Sequence, residues 1–243
     1  MSKATQDFDV RMVHWNIHSW LDDAGGSNLE AVEELLQATE PHVVSLVEVD
    51  EEWSQPSALD ELAARCGYAS VFAPAFEFGG DEPRGGFGNA VLTKLPILAV
   101  RQRQLVWPTR TYDGSEPSEP RSVVFVKVQA PAGAIWTGST HLPRSEAETR
   151  AGAARRLMAI AGGLDGCWAL CGDFNMPASA WASEYPDLAV EPSTGVPTYP
   201  TAAPDEAIDY CLAGPGVNLE AEVLSRTGSD HLPILVRARV VHG

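Results

Sequence analysis

The stretch CGDFNMP, residues 171–177, places an acid and an amide directly after an apolar, strand-like run. Polar side chains also interrupt or end other apolar runs in this chain: Asn16, Glu48, His141, Asp209, Asp230 and His231. Carboxylate and amide oxygens are the ligands that Mg²⁺ prefers, and histidine transfers protons near neutral pH. Crowded carboxylates are costly unless a cation or a proton lies between them. The sequence therefore predicts that these acids, amides and histidines meet where strands end, around a cation or a proton.

Each of these residues taken singly also has a structural explanation. A turn would account for Gly172, Asp173 and Asn175, and a solvated strand end would account for Glu48. Buried, hydrogen-bonded histidine is the usual fate of a lone His, and His14, His18 and His42 show that histidine here need not indicate chemistry. The functional interpretation depends on their joint placement, because ligands of open α/β sheets lie outside the carboxyl ends of strands.

The first part of the chain reads as alternating strands and helices. We predict strands over 8–17, 42–49 and 68–74, with helices over 27–41 and 57–66 between them. Ser27 and Glu30 form a capping box at the start of the first helix. Because one helix joins the first two strands, they should pair in parallel and bring Asn16 and Glu48 to the same sheet edge.

The rest of the chain reads mainly as hairpins, followed by a second β-α-β unit. The predicted strands cover 88–97, 97–106, 121–130, 134–141, 167–172, 207–212, 217–225 and 231–240. Residues 75–86, 107–120 and 174–206 read as loops. A helix over 145–163 has a Ser145–Glu148 capping box and an inner stripe of Ala147, Ala151, Ala154, Leu157 and Ala161. Two packed sheets with helices outside would accommodate this order in a single domain over residues 1–243.

Composition restricts the class of partner. The 243-residue chain has 33 acidic and 17 basic residues, a net charge of −16. This charge disfavours a general nucleic-acid binder, which needs Lys and Arg to replace phosphate counterions. The four cysteines form no CxxC pair, and the chain shows neither an apolar signal core nor a run long enough to span a bilayer. We expect a reduced, cytoplasmic protein.

The ordered series WNIH, SLVEVD, GFGNAVLTKLPI, STHL, GDFN, IDY and SDH resembles the endonuclease/exonuclease/phosphatase (DNase I-like) superfamily over residues 8–240. GDFN alone is moderately specific, whereas seven motifs in family order are strongly so. The resemblance implies an α/β fold, a four-layer α/β/β/α sandwich of two mixed β-sheets with helices outside. It also implies hydrolysis of a phosphate ester with Mg²⁺ as cofactor, for which Mn²⁺ could substitute.

The resemblance assigns a role to each matching position. It implies Glu48, Asn16 and Asp230 as metal ligands, and Asp173 with Asn175 as the pair that orients the attacking water. It implies His231 next to the scissile phosphate, Asp209 as its partner, and His141 at the leaving oxygen. The remaining matching or neighbouring residues are implied as substrate contacts: Asn89, Arg121 and Thr198. Trp20 follows the first motif and reads either as a substrate platform or as a packed aromatic.

Three functions remain open at this level. The first is a Mg²⁺-dependent phosphoesterase acting on a small or lipid-type phosphate ester, which the acidic charge favours. The second is a nuclease of the same fold, which would need arginines gathered at the site; the candidates are Arg84, Arg101, Arg103, Arg110 and Arg144. The third is a catalytically silent binding protein, against which the intact set of polar motifs argues. The sequence predicts no oligomeric state.

Overall fold

The computed structural model describes residues 7–53, 57–82, 84–107, 119–144, 147–184, 193–226 and 228–241. Within these ranges eleven strands form two mixed sheets, with four α-helices around them. The strands are β1 (Phe8–Asn16), β2 (Val43–Glu52), β3 (Ala69–Phe78), β4 (Gly85–Thr93), β5 (Ile97–Val106), β6 (Arg121–Ala130), β7 (Gly133–His141), β8 (Trp168–Asp173), β9 (Asp209–Ala213), β10 (Val217–Val223) and β11 (Ile234–Val240). The helices are α1 (Leu29–Thr39), α2 (Ala58–Cys66), α3 (Ala147–Gly162) and α4 (Ala178–Glu184).

The two sheets pack face to face with helices on their outer sides. Sheet I has the strand order β10-β11-β1-β2-β4-β3, and sheet II has the order β5-β6-β7-β8-β9. Val10, Met12 and Val126 belong to the apolar cluster between the sheets. Leu36 and Leu62 of α1 and α2 pack on the outer face of sheet I, and the helices on sheet II bury a cluster of their own. This architecture confirms the predicted four-layer α/β/β/α sandwich.

Each sheet contains one parallel strand pair, and these pairs position the site. β1 pairs in parallel with β2, and β7 pairs in parallel with β8, each pair being joined through one helix. Because parallel strands end at the same edge, Asn16 lies beside Val47 and His141 lies directly opposite Asp173. The antiparallel β8–β9 register then places Asp209 opposite Asp173. The predicted convergence of polar strand ends is therefore a consequence of register.

Two predicted loops contain regular structure. Residues 75–86 are mostly a hairpin, since β3 continues to Phe78 and β4 begins at Gly85, with a left-handed turn through Gly79 and Gly80. In the sequence these glycines are typical of a loop, and for this reason the strands on either side of them were not predicted to extend so far. The predicted loop 174–206 contains helix α4, and residues 108–118 and 185–192 lie outside the described ranges.

The start of α1 and the buried face of α3 differ in part from the sequence prediction. The N-cap of α1 is Asn28 rather than Ser27, whose hydroxyl accepts a hydrogen bond from the Leu29 backbone N–H at 3.4 Å. Ser145 lies outside the described residues. In α3 the predicted stripe is correct at Ala154, Leu157 and Ala161, whereas Ala147 is exposed, Ala151 is half-buried and Ala153 is buried instead.

Trp20 is a core residue. It is 6% exposed, packs with the α1 and α2 side chains, and its indole N–H approaches the Asp50 carbonyl at 3.0 Å. His18, Ser19 and Trp20 all have positive φ, so this short turn carries backbone strain that the burial of the indole offsets. The alternative of a surface-packed aromatic is therefore correct in its packing, but the ring lies in the core rather than on the surface. No described helix combines the length and apolarity needed to cross a bilayer.

Close approach of β7 and β8 requires glycine at position 172. A Cβ at Gly172 would lie 2.4 Å from the Thr140 carbonyl oxygen, whereas a Cβ at Gly152 on the exposed side of α3 meets nothing within 4 Å. We expect Gly172→Ala to lower the free energy of unfolding by about 1–3 kcal/mol through overpacking. The matched change Gly152→Ala should raise it by about 0.5–1 kcal/mol. Urea denaturation measures both, and equal effects would contradict the close-approach argument.

Candidate active site

The strand ends of the two sheets border one polar cleft of about 400 Å³. Seven of its lining residues are ones that the sequence predicted as site residues: Glu48, Arg121, His141, Asp173, Asn175, Asp230 and His231. Other side chains complete the wall: Glu119, Arg144, Arg150, Tyr199, Glu206 and Ile208. The cleft therefore gathers residues from segments that are distant in sequence.

Glu48 reaches the cleft through a β-bulge. The register between β2 and β4 shifts between Val47 and Val49, and Glu48 has a left-handed φ of 57°. Leu46 and Val49 both pack toward the helices, so the normal alternation of side chains breaks at Glu48. A bulge of this kind re-aims one side chain at the cost of a local distortion, and here it turns the carboxylate toward the site.

Asn16 joins the carboxylates of the two sheets. Its amide nitrogen lies 3.0 Å from Glu48 Oε1 and 3.1 Å from Asp173 Oδ2, while its Oδ1 accepts from the His18 backbone N–H. Asp173 Oδ1 accepts from the Asn175 backbone N–H at 2.9 Å. Both oxygens of the buried Asp173 carboxyl are thus engaged, which fixes its orientation at the mouth of the cleft.

Asp209 lies at the centre of a buried hydrogen-bonded chain. Its Oδ2 accepts from His231 Nδ1 at 2.8 Å and from the Thr198 hydroxyl at 2.6 Å. Its Oδ1 lies 3.2 Å from Nε2 of His14, whose Nδ1 is 3.0 Å from the Ser45 hydroxyl. The Trp15 indole N–H donates to the His231 carbonyl at 2.7 Å. This chain fixes the His231 ring with Nε2 facing the cleft, 3.7 Å from Asp173 Oδ2.

His141 has a different environment from His231. Its Nδ1 lies 3.2 Å from Arg121 Nη1, and because arginine only donates, Nδ1 must accept. The proton of the neutral ring is then on Nε2, which lies 3.4 Å from Asp173 Oδ2. Asn175 Nδ2 approaches the same Nε2 at 2.9 Å but is oriented by donating to the Leu142 carbonyl. His141 thus presents an N–H to the cleft.

The two histidines are held in opposite charge states. Burial, together with the Arg121 charge, lowers the pKa of His141 well below its usual value. Burial opposes protonation of His231 as well, but the Asp209 carboxylate dominates and raises the pKa of His231 to about 10. Burial and the Asp209 charge raise the pKa of Asp173. Near neutral pH the site therefore contains a cationic His231 and a neutral His141.

The donor set fits a divalent cation on the Glu48 side of the cleft. Among the described residues, Asp173, Asp209 and His231 offer ligand atoms within 4.8 Å of one another. Both oxygens of Asp209 already accept hydrogen bonds, so metal binding there would break the chain through His14 and His231. Glu48 and Asp230 carry the partly exposed carboxylates, and the buried Asp173 carboxyl lies at the same end of the cleft. A cation beside them would offset a charge cluster in which the Asn16 amide lies between Glu48 and Asp173.

Two sequence-predicted substrate contacts lie behind the cleft rather than on its surface. Thr198 is fully buried and its hydroxyl is committed to Asp209. The Asn89 amide donates to the Ser122 carbonyl at 2.9 Å, next to Arg121 and His141. Arg121 lines the cleft and pairs with Glu119 at 3.0 Å. In this geometry Thr198 positions the Asp209 carboxylate, and Asn89 holds the backbone at Ser122 beside Arg121.

Sequence reasoning missed several residues of the site. His14 was interpreted as an unremarkable histidine, yet it contacts Asp209. Its position two residues before Asn16 on β1 is the signal for this, because alternate residues of a strand share a face. Tyr199 and Arg150 line the cleft, and only the adjacency of Tyr199 to Thr198 in PTYP could have indicated the former.

The chain is similar in fold to solved structures along nearly its whole length. An endonuclease/exonuclease/phosphatase from Beutenbergia cavernae matches with a TM-score of 0.76 and 22% identity, covering 96% of this chain and 72% of that one. A mannosyl-6-phosphatase from Bacteroides thetaiotaomicron matches with a TM-score of 0.72 and 14% identity, covering 94% and 99%. ANGEL2, a 2',3'-cyclic phosphatase, matches with a TM-score of 0.69 and 16% identity, covering 96% of each chain. A search of curated proteins finds no significant match.

A sequence profile of the Endonuclease/Exonuclease/phosphatase family matches residues 13–231, which include every polar residue from Asn16 to His231 described above. The fold, the cleft at the strand ends and this profile agree on one assignment. The chain belongs to the endonuclease/exonuclease/phosphatase family, whose members are hydrolases of phosphate esters.

Proposed function

We propose that this protein is a Mg²⁺-dependent phosphoesterase that hydrolyses a small or lipid-type phosphate ester by attack of water at phosphorus. One observation carries the proposal: Asn16 brings the carboxylates of Glu48 and Asp173 together beside the His231–Asp209 pair. This combination of acids, an amide and a cationic histidine suits a divalent cation and a phosphoryl group. Retention of every polar group also disfavours a silent binding protein.

Glu48 and Asp230 would hold the ion, with Asp173 at its edge. Asn16, predicted as a ligand, presents its Nδ2 donor to Glu48 and Asp173 and would instead orient those carboxylates. When bound, Mg²⁺ offsets negative charge on a phosphoryl oxygen, and Mn²⁺ could take its place. The remaining chemistry belongs to side chains of the chain. Asp173, fixed by Asn16 and Asn175, orients the water and accepts its proton as the new O–P bond forms.

The two histidines then act on different oxygens of the substrate. His231 donates from Nε2 to a non-bridging oxygen, and Asp209 keeps its Nδ1 proton in place. His141 donates a hydrogen bond from its Nε2–H to the leaving oxygen as the P–O bond breaks, with Arg121 holding the ring, and the departing oxygen takes its proton from water. A positioned acid–base group of this kind contributes roughly 10²–10⁴-fold in rate.

Most of the arginines named as nuclease candidates do not line the cleft in the described part of the chain, although Arg121, Arg144 and Arg150 do. Of the arginines predicted to serve a nuclease, Arg101 lies over Trp136 and near Asp165, away from the cleft, and Arg103 bonds its neighbouring backbone. Arg144 lines the cleft, and Arg110 lies outside the described residues. Two of the similar structures are a mannosyl-6-phosphatase and a 2',3'-cyclic phosphatase, so the fold accommodates small phosphate esters.

The proposed function predicts a specific pattern of hydrolysis. A panel of sugar phosphates, nucleotides, inositol phosphates, phospholipid head groups and plasmid DNA should show phosphate-ester cleavage that EDTA abolishes and Mg²⁺ restores. Phosphate release measures the monoesters, and gel mobility measures the plasmid. Because the net charge is −16, plasmid should be the poorest substrate at physiological salt. Rapid nicking of plasmid would favour the nuclease, and absence of all hydrolysis would favour the binding protein.

Glu48 is the proposed principal ligand of the ion. Glu48→Gln removes the charge while preserving shape, and we expect Mg²⁺ affinity to fall by about tenfold or more, the loss of one charged contact. Titration calorimetry measures the affinity. Glu52→Gln, on the same strand but outside the cleft, is the matched control and should bind as the parent protein does. Unchanged affinity in Glu48→Gln would remove this residue from the metal site.

His231 is proposed to act at the phosphoryl oxygen. His231→Ala should lower kcat by about 10²–10⁴-fold on whichever panel ester is cleaved, since it removes the cationic donor. His42→Gln, at the opposite end of β2, should retain activity. Near-UV circular dichroism checks that both variants keep the fold. A folded His231→Ala variant with full activity would exclude the histidine from the reaction.

A further inference from the structure

One wall of the cleft bears cationic charge that the proposed reaction does not use. We define this arginine wall as Arg144, Arg150 and Tyr199, which line the cleft where the chain passes from β7 toward α3 and past Thr198. The rest of the cleft surface is dominated by the carboxylates of the candidate metal site. In a chain with 33 acidic and 17 basic residues, two guanidiniums on one wall of a small cleft that Arg121 also lines indicate a local requirement for positive charge.

Arg144 is linked to His231 by contacts through the ring of Tyr199. Its guanidinium carbon lies 5.7 Å from the centroid of the Tyr199 ring, and that ring lies 4.7 Å from the ring of His231. Arg144 also follows His141 by only three residues. Within the ranges that the structure describes, no carboxylate lies within ion-pair distance of Arg144. Its charge is therefore available to a ligand bound at the two histidines.

Arg150, on α3, holds the backbone segment that carries Arg144. Its Nη1 donates to the Arg144 carbonyl at 2.9 Å and approaches the Pro143 carbonyl at 3.5 Å, which fixes the backbone that carries Arg144. The Nε atoms of Arg150 and Arg121 are both buried without a hydrogen-bond partner in the described part of the chain. A buried N–H left unsatisfied is costly, and Arg121 is 7% exposed. Both guanidinium side chains nevertheless line the cleft.

The acidic residues near the wall do not cancel its charge. Glu119 is engaged by Arg121 at 3.0 Å, so that pair is neutral. Glu206 is exposed, and its backbone groups bond Thr198 and Tyr199. Glu206 thus leaves one free carboxylate in a wall that carries the two guanidiniums of Arg144 and Arg150. The balance at this wall is positive.

Resting on the proposed function, we propose that the arginine wall binds a second anionic group, a carboxylate or a phosphate, carried on the leaving portion of the substrate. The substrate class is then a small phosphate ester with a further acidic group a few bonds from the scissile phosphorus. Arg144 supplies the charge, Arg150 fixes its backbone, and Tyr199 sets the distance between the wall and His231. A guanidinium suits either anion because its N–H groups match two oxygens at once.

Non-hydrolysable ligands of matched length test this subsite by calorimetry at constant free Mg²⁺. Propylphosphonate carries one anionic group, whereas 3-phosphonopropionate and 1,3-propanediphosphonate carry a second that is a carboxylate or a phosphonate. The wild-type protein should bind at least one of the doubly anionic ligands about tenfold more tightly than propylphosphonate, the effect of one charge-assisted hydrogen bond. Which of the two gains affinity identifies the anion.

In Arg144→Gln the ratio of affinities should fall to near one. Arg237→Gln removes an exposed arginine paired with Asp9 on sheet I, away from the cleft, and should keep the wild-type ratio. A ratio near one in the wild type, or an unchanged ratio in Arg144→Gln, would overturn the proposal while leaving the phosphoesterase intact. Failure of all three ligands to bind would instead contradict the proposed phosphate site, and with it this inference.

Discussion

The structure depends on one constraint: every carboxylate drawn into the sandwich at its strand ends must have each oxygen compensated. Asp209 meets it with three donors, from His14, Thr198 and His231, at 3.2, 2.6 and 2.8 Å. Asp173 meets it with the Asn16 amide and the Asn175 backbone N–H. Removing one partner of a buried charge costs about 3–5 kcal/mol, so these contacts are interdependent. Among the described residues, Glu48 accepts a hydrogen bond from Asn16 alone, which leaves a partly exposed charge where a cation can reach it.

The same constraint explains why two sheets are needed. β1–α1–β2 and β7–α3–β8 each produce one parallel pair, and each pair delivers polar residues to its carboxyl edge. Neither edge alone holds a complete set, because Glu48 and Asn16 belong to sheet I and Asp173 with Asp209 to sheet II. Contacts between the sheets at Ser45–Ser139 and His14–Asp209 fix the offset of the edges. Packing of the sandwich is therefore what assembles the site.

The sequence predicts the parts of this arrangement that depend on local pattern. Apolar runs indicate the strands, and a single helix between two strands implies that they pair in parallel. The proximity of Asn16 to Glu48 and of His141 to Asp173 could therefore be predicted. The bulge at Glu48 could not be predicted from the sequence, because it arises only when β4 fixes the register of β2. The hairpin over 75–86 was missed because Gly79 and Gly80, which form its turn, read as loop. His14 was missed because its partner Asp209 is 195 residues away.

The charge of the chain acts at two scales, which explains how an acidic protein can suit an anionic substrate. At long range a net charge of −16 repels polyanions, and this repulsion weakens as salt screens it. Within the cleft, the distances to His231, Arg121 and Arg144 are short and water is partly excluded, so their attraction for a phosphate ester exceeds the distant repulsion. A small ester has few charges for the surface to repel and most of its atoms inside the cleft. A long nucleic acid has most of its phosphates outside, facing acidic surface. Under the proposed function, discrimination by size would follow from this charge placement before the leaving group meets the arginine wall.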